Sequence, residues 1–451
     1  MMAKCRAIEL GARRFSERYE MDQGNTAFIL IAAALVLLMT PGLAFFYGGL
    51  VKAKSVISMM MLSFGAIGLI GVLWVLYGYA ITFANAGTDG FVGIDGLLGI
   101  DTANLGLTGL LEAPEGSAFP PLAFAAFQAT FAIITVALIS GAIADRAKFG
   151  AWLVFAGIWA TVVYFPVASW VFNFTLAEDG SFSDGGWITF GMQQVFGVGA
   201  IDFAGGTAVH INAGAAALAL ALVLGKRVGF AKGAHVPHNP PFVLLGAGLL
   251  WFGWFGFNAG SELAADNVAA LAFVNTIAAP AAALLAWLVV EKIKDGKATS
   301  VGAASGAVAG LVAITPACAS LHPFWAIVLG IIAGAVCALA VDLKYRLGFD
   351  DSLDVVGIHL VGGLIGTLYL GFFANGSGLI YSGSLTQLLV QAIAAITVMI
   401  YSFVLAYVIG LIVEKTMGFR VKNEDELAGI DTIVHGESGY VLDTPDAIPA
   451  R

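Results

Sequence analysis

Two stretches of the chain, DFAGGTAVHINAGAAAL (202–218) and DSLDVVGIHLVGGLIGTLYL (351–370), repeat one arrangement of polar residues in an apolar run. In each stretch the leading aspartate precedes a histidine by eight residues, His210 in the first and His359 in the second. An ionisable side chain inside a membrane segment is costly, and it usually faces a protein interior or a conduction path. The matching pair therefore predicts one shared site.

The composition predicts a helical membrane protein with many spans. Of the 451 residues, 59% are hydrophobic and only 11% are charged, and 57 are glycine. These fractions lie far outside those of a soluble domain, and the glycines allow close helix–helix contact in lipid. The net charge of -9 argues against nucleic acid as a partner.

Apolar windows of about 20 residues predict an all-α polytopic fold with eleven transmembrane helices. The predicted spans are 26–48, 56–83, 119–144, 150–174, 204–224, 241–261, 267–291, 300–320, 323–342, 353–374 and 386–414. We expect the first ten to form an inverted five-helix repeat, with the eleventh helix added and one pore in each subunit.

The charges of the connections predict the orientation. Sixteen lysines and arginines lie in the odd-numbered loops and the tail, and the even-numbered loops contain none. The positive-inside rule then places the start of the first helix outside and the C-terminus in the cytoplasm, here of a plasma (inner) membrane. The even loops 84–118 and 175–203 are acidic, which either concentrates cations at an outer mouth or reflects solvated loops; both interpretations stay open.

The chain divides into three predicted parts: an N-terminal extension (1–24), a transmembrane domain (25–414) and a cytoplasmic tail (415–451). The first 20 residues carry five basic residues on the side predicted to be outside, and they lack the apolar core of a signal peptide. Either translation starts at Met21, or residues 1–20 are a translocated disordered arm.

The two histidines are expected near the membrane midplane. Eight residues at 1.5 Å each span about 12 Å, close to half of a hydrocarbon core of roughly 30 Å, and the two spans enter from opposite faces. An inverted repeat with a site at its interface has this form. Two imidazoles are too few for a zinc or di-iron centre, so no metal, cofactor or enzymatic activity is expected. A neutral pair can line a path for a small polar molecule or relay a proton.

Aromatic residues gather at the outer halves of other predicted spans. Phe127 and Phe131 share one helix face, and the stretch WFGWFGFNAGS (251–261) places aromatic rings before Ser261. Trp170 and Phe172 end the fourth span. Aromatic faces beside a hydroxyl can hold a small cation. Without the histidines, an interfacial aromatic belt would be the better interpretation.

The sequence resembles the ammonium transporter family (Amt/Mep/Rh), and its Amt branch in particular. The resemblance covers about Asn25 to Tyr440. It is carried by the motifs FFYGGLV, AFQATFA, DFAGGTAVHINAG, GKRVGF, PHN, GWFGFNAGS, ALAFVNT, GAVAGLVAITPAC and DVVGIH, and by the tail pattern GFRV…E…HGESGY.

The resemblance implies a homotrimer that transports ammonium or ammonia, with methylammonium as an analogue and no cofactor. It also implies a PII-type regulatory protein as a partner of the tail. The implied site residues fall into four groups: outer site Phe127, Ser261 and the aromatic that ends the fourth span; gate Phe131 and Phe257; pore His210, His359, Trp254 and Thr315; structural acid Asp202.

This sequence departs from the family at the outer site. The family's tryptophan falls on Phe172 by spacing, and tryptophan is the strongest cation–π partner. Either Phe172 or Trp170 then completes the site. Two other functions stay open: an ammonium sensor that signals through its tail, and a neutral gas channel in the Rh manner.

Overall fold

The computed structural model describes residues 21–88, 90–114, 117–176, 182–230 and 236–440. Among these residues it has eleven long apolar helices: α1 Gln23–Leu50, α2 Ala53–Thr82, α3 Pro121–Ile143, α4 Phe149–Phe172, α5 Gly206–Leu224, α6 Pro240–Glu262, α7 Asn267–Lys294, α8 Ser300–Ile314, α9 Pro323–Leu347, α10 Val356–Phe373 and α11 Thr386–Met417. Ten are long and apolar enough to cross a membrane, and α8 is shorter. The number of crossings, eleven, stays a prediction.

Helix ends differ from the predicted spans at several places. The eighth span was expected over 300–320, but α8 ends at Ile314, where Pro316 lacks the N–H that would continue the helical hydrogen bonds. Helix α1 begins at Gln23, two residues inside the predicted extension 1–24, and the division of the chain into three parts stays a prediction. Asp22 caps this helix by accepting a hydrogen bond from the Asn25 backbone N–H at 2.8 Å. The predictions for residues 1–20 and 441–451 lie outside the described residues.

Local sequence signals explain where several helices start. A proline occupies the first position of α3, α6 and α9, where its missing N–H costs nothing and its fixed φ fits the helix. Asp266 and Thr299 cap α7 and α8 by accepting backbone N–H groups of the first turn. These capping groups satisfy donors that would otherwise be orphaned.

Glycines let the helices approach closely. A Cβ atom added to Gly246 of α6 would lie 2.2 Å from the backbone N of Phe46 in α1. A Cβ at Gly334 of α9 would lie equally close, at 2.2 Å, to the carbonyl oxygen of Ala283 in α7. Because no side chain fits there, these contacts bring backbones together, as expected for small-residue packing in lipid.

The connections gather into two ends. At one end, residue Asn85 donates to Asp184 at 2.8 Å, and Asn375 N donates to Ser320 O at 2.9 Å. This acidic end contains the even-numbered loops, with the antiparallel hairpins β1–β2 (Phe91–Ile94, Leu98–Asp101) and β3–β4 (Phe174–Leu176, Phe182–Gly185). The start of α1 belongs to this end, because Asn25 accepts from Ala265 N at 3.0 Å.

The other end contains the odd-numbered loops and the tail. The tail continues from α11 through a short helix, Asn423–Ala428, and the turn Asp431–His435. It pairs with the third loop through the bridge between Ala147 and Arg420. Lys54, in the first turn of α2, donates to Leu427 O at 2.5 Å. This basic end therefore collects the loops that carry the lysines and arginines, as the charge pattern predicts.

Candidate functional site

The two histidines lie on equivalent first turns. His210 belongs to the π-helical opening Gly206–Ile211 of α5, and His359 to the π-helical opening Val356–Leu360 of α10. Asp202 accepts from the backbone N of Thr207 at 3.0 Å, five residues on, and from the backbone N of Ala208 at 2.9 Å. In the second copy Asp351 accepts from Val356 N, also five residues on, at 2.7 Å. Each aspartate thus fixes the turn that presents the histidine.

A reciprocal glycine contact brings the two turns together. Gly214 lies four residues after His210, and its Cβ would meet Leu360 N at 2.5 Å. Gly363 lies four residues after His359, and its Cβ would meet Ile211 N at 3.2 Å. Each glycine thus faces the residue that follows the opposite histidine. The contact has the local form of a two-fold repeat, while the repeat of all ten helices stays a prediction.

The imidazoles of His210 and His359 interact directly. Their Nδ1 atoms lie 3.3 Å apart, and their ring centroids are separated by 5.3 Å with 26° between the planes. Because one Nδ1 must donate and the other accept, a neutral pair carries one proton between the rings. Its two Nε2 atoms then differ: one bears hydrogen and the other a lone pair. Nε2 of His210 is buried and has no hydrogen-bond partner among the described residues.

A phenylalanine stack lies beside the histidines. The rings of Phe131 and Phe257 are stacked, with centroids 4.3 Å apart. Phe257 is 6.1 Å from the ring of His210, and Phe127 packs on Phe131 at 4.8 Å. Phe127, Phe131 and Phe257 are all fully buried or nearly so. The predicted gate residues therefore form one continuous line of rings with the pore residues.

Beyond the stack, the histidines line a narrow cavity. It leaves about 10 Å³ for the centres of water-sized molecules, which is near the smallest space that holds one water. Trp254 also lines it and stacks on His210 at 5.5 Å. The Trp254 indole N–H donates to Thr315 Oγ1 at 2.9 Å, so Thr315 orients the tryptophan.

Sequence reasoning missed the other walls of this cavity. They are aliphatic or sulfur-containing side chains and one phenylalanine: Met39, Leu43, Phe46, Ile134, Leu138, Val209, Leu250 and Val308. No signal distinguishes these residues from ordinary core residues, because both show the same helical spacing of apolar side chains. Their chemistry makes the cavity apolar except at the two imidazoles.

The residues predicted for the outer site lie on the side of the stack that faces the acidic end. A Cβ at Gly260 would lie 3.1 Å from Cε2 of Phe127, which places that ring against the residue before Ser261. The Ser261 hydroxyl donates to Phe257 O at 2.8 Å, so its oxygen lone pairs stay free to accept. The ring of Phe172 lies 6.4 Å from that of Phe131.

Trp170 lies elsewhere on the same helix. Its ring packs against Trp187 at 5.7 Å and against Tyr401 at 4.8 Å. Its indole N–H donates to Leu97 O in the hairpin loop at 2.5 Å. The geometry thus favours Phe172 over Trp170 at the outer site, because only Phe172 is in ring contact with the stack.

Burial favours the neutral form of the two aspartates that precede the histidine turns. Burial raises the pKa of Asp202 to about 6, although backbone N–H groups oppose the shift. Burial likewise raises the pKa of Asp351 to about 6. At Asp350 burial acts in the same direction, but hydrogen bonds from Arg227 and the charges of Arg227 and Arg146 prevail and lower its pKa. The same residue type therefore titrates differently according to its cationic neighbours.

Known proteins match the chain along nearly its whole length. The profile of the Ammonium Transporter Family matches residues 27–440. The chain belongs to the Ammonium Transporter Family. An ammonium transporter of Mycobacterium tuberculosis is 54% identical over 444 residues, covering 93% of this chain and 90% of the relative.

Solved structures of the Ammonium Transporter Family share the fold. Candida albicans Mep2 superposes with a TM-score of 0.79 and 32% identity, covering 90% of this chain and 88% of that one. A structure described as "Sensor Amt Protein" gives a TM-score of 0.81 at 28% identity, covering 91% and 98%. The predicted family and the all-α polytopic fold are thereby confirmed, and this family consists of membrane transporters.

Proposed function

We propose that this protein moves ammonium across the plasma membrane by capturing the cation outside and passing neutral ammonia along the histidine pair. The observation that carries the proposal is the direct contact of two buried imidazoles behind a stacked pair of phenylalanines. A bare ammonium ion at the bilayer centre costs several kcal/mol or more. A path this narrow and apolar favours the neutral molecule instead.

The outer site captures the cation. Phe127 and Phe172 offer aromatic faces to it, and Ser261 offers an oxygen that accepts one N–H of the ion. Cation–π attraction contributes about 0.5–2 kcal/mol, and more as water is removed. Phenylalanine is a weaker partner than tryptophan, so we expect weaker capture than a tryptophan at position 172 would give. Asp202 acts indirectly by holding the turn that carries His210.

The gate removes the hydration shell. The stacked rings of Phe131 and Phe257 leave no gap for a hydrated ion, so they must move aside for each passage. The substrate sheds its water near this point and gives its proton to the Nε2 that has a lone pair. The histidine pair releases a proton from its other Nε2 toward the far side, so that charge crosses while ammonia passes as the neutral molecule. Beyond it, ammonia can donate to the Nε2 that has a lone pair and accept from the Nε2 that bears hydrogen, while Trp254 and Thr315 keep the wall rigid.

The assembly follows the family. We propose a homotrimer in a lipid bilayer, with the acidic end outside and the basic end in the cytoplasm. Many apolar side chains of the helices are exposed, for example Leu285 at 63% and Ile396 at 49%, which suits contact with lipid or a second subunit. The tail, which packs on the basic end, is the proposed docking place of a PII-type regulatory protein.

A sensor is the second candidate function. It is supported by the solved structure described as a sensor and by the tail of this chain, which contacts three loops at the basic end. In a sensor, ammonium would bind at the outer site and change these tail contacts with little flux.

Current measurements on proteoliposomes test the proposal. Addition of ammonium to the native protein should give a transient current. The double variant His210→Ala/His359→Ala should either reduce this current at least tenfold or change its selectivity. The control is His322→Ala, because His322 is an exposed histidine outside the cavity. An unchanged rate and selectivity in the double variant would remove the pore assignment.

The same experiment separates the alternatives. A neutral gas channel would give no current but would retain a flux of ammonia detected by internal pH. A sensor would give neither signal while still binding ammonium. If charge crosses, the membrane potential contributes about 2.3 kcal/mol per 100 mV, so the initial current should scale with an imposed potential.

A further inference from the structure

A wide cavity opens at the basic end of the molecule. Its volume is about 340 Å³, far larger than the space around the histidine pair. Leu50, Val301 and Asp354 contribute to its wall, together with Lys344 of α9. The function proposed above does not use these charged residues.

This cavity continues the narrow one along two shared helices and the segment that leads into α10. Helix α1 contributes Phe46 to the narrow cavity and Leu50 to the wide one. Helix α8 contributes Val308 and then Val301. Four residues of helix span about 6 Å and seven span about 10 Å. His359 opens α10, and Asp354 precedes it by five residues. The wide cavity is therefore the inner mouth of the same path.

The charged residues that line the inner mouth are ion-paired. Arg227 contacts Asp350 at 2.9 Å and Asp145 at 3.3 Å. Asp342 pairs with Lys294. Lys344 pairs with Asp354, with Nζ 2.5 Å from Oδ1. Each charge on this wall is thus matched by an opposite one.

Lys344 is held in place by two contacts. Its Nζ also donates to the carbonyl oxygen of Asp351 at 3.0 Å. The Lys344 side chain is 8% exposed, whereas that of Asp354 is 34% exposed. The amine therefore reaches out from a buried stem to a carboxylate that is open to the cavity. The carbonyl contact keeps it from turning away.

We propose that Lys344 is a built-in competitor of the substrate, which occupies Asp354 and so weakens ammonium binding at the inner mouth. A lysine head group is an alkylammonium ion, chemically close to ammonium and methylammonium. A carboxylate at the end of a path attracts such cations. A tethered group acts at an effective concentration of millimolar or more, so free ammonium in the cytoplasm competes poorly for Asp354. This inference rests on the proposed transport function.

The kinetic consequence is specific. Removal of the amine frees Asp354, so the concentration of cytoplasmic substrate that half-saturates transport should fall. Without a driving force, the ratio of maximal rate to half-saturating concentration must be equal in the two directions. Tighter inner binding must therefore lower the maximal outward rate in proportion, unless the inward ratio rises by the same factor. A merely structural loss would lower the rate without tightening binding.

The test uses membrane vesicles with the cytoplasmic face outward and measures initial uptake of labelled methylammonium. In Lys344→Met we expect the half-saturating concentration to fall at least threefold. Lys344→Arg is the matched control and should stay within twofold of the native protein, because it keeps the cation. In Lys344→Met/Asp354→Asn, which restores neutrality without a carboxylate, the value should return to within twofold of native.

Each result decides the matter. If Lys344→Met still transports and its half-saturating concentration is unchanged, the inference is overturned and the transport function stands. If Lys344→Met fails to fold, Lys344→Gln replaces it, because it also removes the cation and keeps Asp354. A rise of threefold or more in the half-saturating concentration of the double variant would mean that Asp354 binds substrate in the native protein, contrary to the proposal. Failure of the native vesicles to show any histidine-dependent uptake would instead remove the proposed function itself.

Discussion

The basic end of the helix bundle pairs several of its carboxylates with lysine or arginine, whereas the described carboxylates of the acidic end form no ion pair. At the basic end, Arg227 pairs with Asp350, and Arg420 pairs with Glu426 at 2.8 Å. At the acidic end, Asp202 accepts backbone N–H groups, and Asp184 accepts from the amide of Asn85. All five ion pairs among the described residues lie at the basic end.

The difference has a simple cause and a functional consequence. The even-numbered loops contain no lysine or arginine, so their carboxylates are held by dipoles, which leave the negative charge in place. At the basic end, the charged residues that line the wide cavity are cancelled in pairs. An arriving cation therefore meets uncompensated negative charge at the acidic end and a neutralised cavity wall at the basic one, in line with the proposed capture on the outside.

The largest expected effect comes from removing a cation of the basic end. In Arg227→Met, Asp350 and Asp145 lose their partner although their side chains are 0% exposed. An uncompensated buried charge costs about 3–5 kcal/mol, so the apparent melting temperature in detergent should fall by roughly 5–10 °C.

Arg346→Met provides the control, because Arg346 is an exposed arginine of the same end. A surface change of this kind should stay within about 0.5 kcal/mol. Equal melting temperatures for the two variants would contradict the claim that the Arg227 network stabilises this end.

A pH titration of stability distinguishes Asp202 at the acidic end from Asp350 at the basic end by sign. The pKa of Asp202 is raised by burial to about 6, against about 3.9 in an unfolded chain. The native protein should therefore lose up to about 3 kcal/mol relative to Asp202→Asn as the pH rises from 4 to 6. The pKa of Asp350 is lowered, so its contribution relative to Asp350→Asn should be present above pH 4 and disappear below it. Melting curves from pH 3 to pH 7 measure both, and slopes of the same sign would contradict the comparison.

Features that depend on residue spacing or on the charge of the loops could be predicted from the sequence. The eight-residue spacing before His210 and His359 led to the contact of the two rings, because equivalent turns present both. Alternating basic loops led to two chemically distinct ends. The ring contacts of Phe131 with Phe257 followed only from the resemblance to the family.

Other features depend on contacts between distant parts of the chain. Arg227 reaches Asp145 and Asp350, which lie 82 and 123 residues away, and nothing in the local sequence selects these partners. Trp170 and Phe172 could not be ranked from spacing, because the direction of each ring is set by its neighbours on other elements. The pairing of Lys344 with Asp354 was not predicted, because nothing in the sequence distinguishes Lys344 from the other basic residues near the helix ends.

The smallest expected effect sharpens the comparison at the acidic end. Glu262 follows Ser261 directly, is partly buried and has no cationic partner among the described residues. Its charge should raise the local ammonium concentration at the proposed outer site. Glu262→Gln should therefore increase the outer half-saturating concentration about two- to threefold at low salt. The increase should be smaller at high salt, because ions screen the charge.

Asp266→Asn is the matched control, since it removes a carboxylate four residues away that is exposed and caps α7. Ammonium-induced currents across a concentration series measure both variants. An equal shift in the two would point to the diffuse potential of the whole end, whereas a shift confined to Glu262→Gln would make this carboxylate part of the capture site.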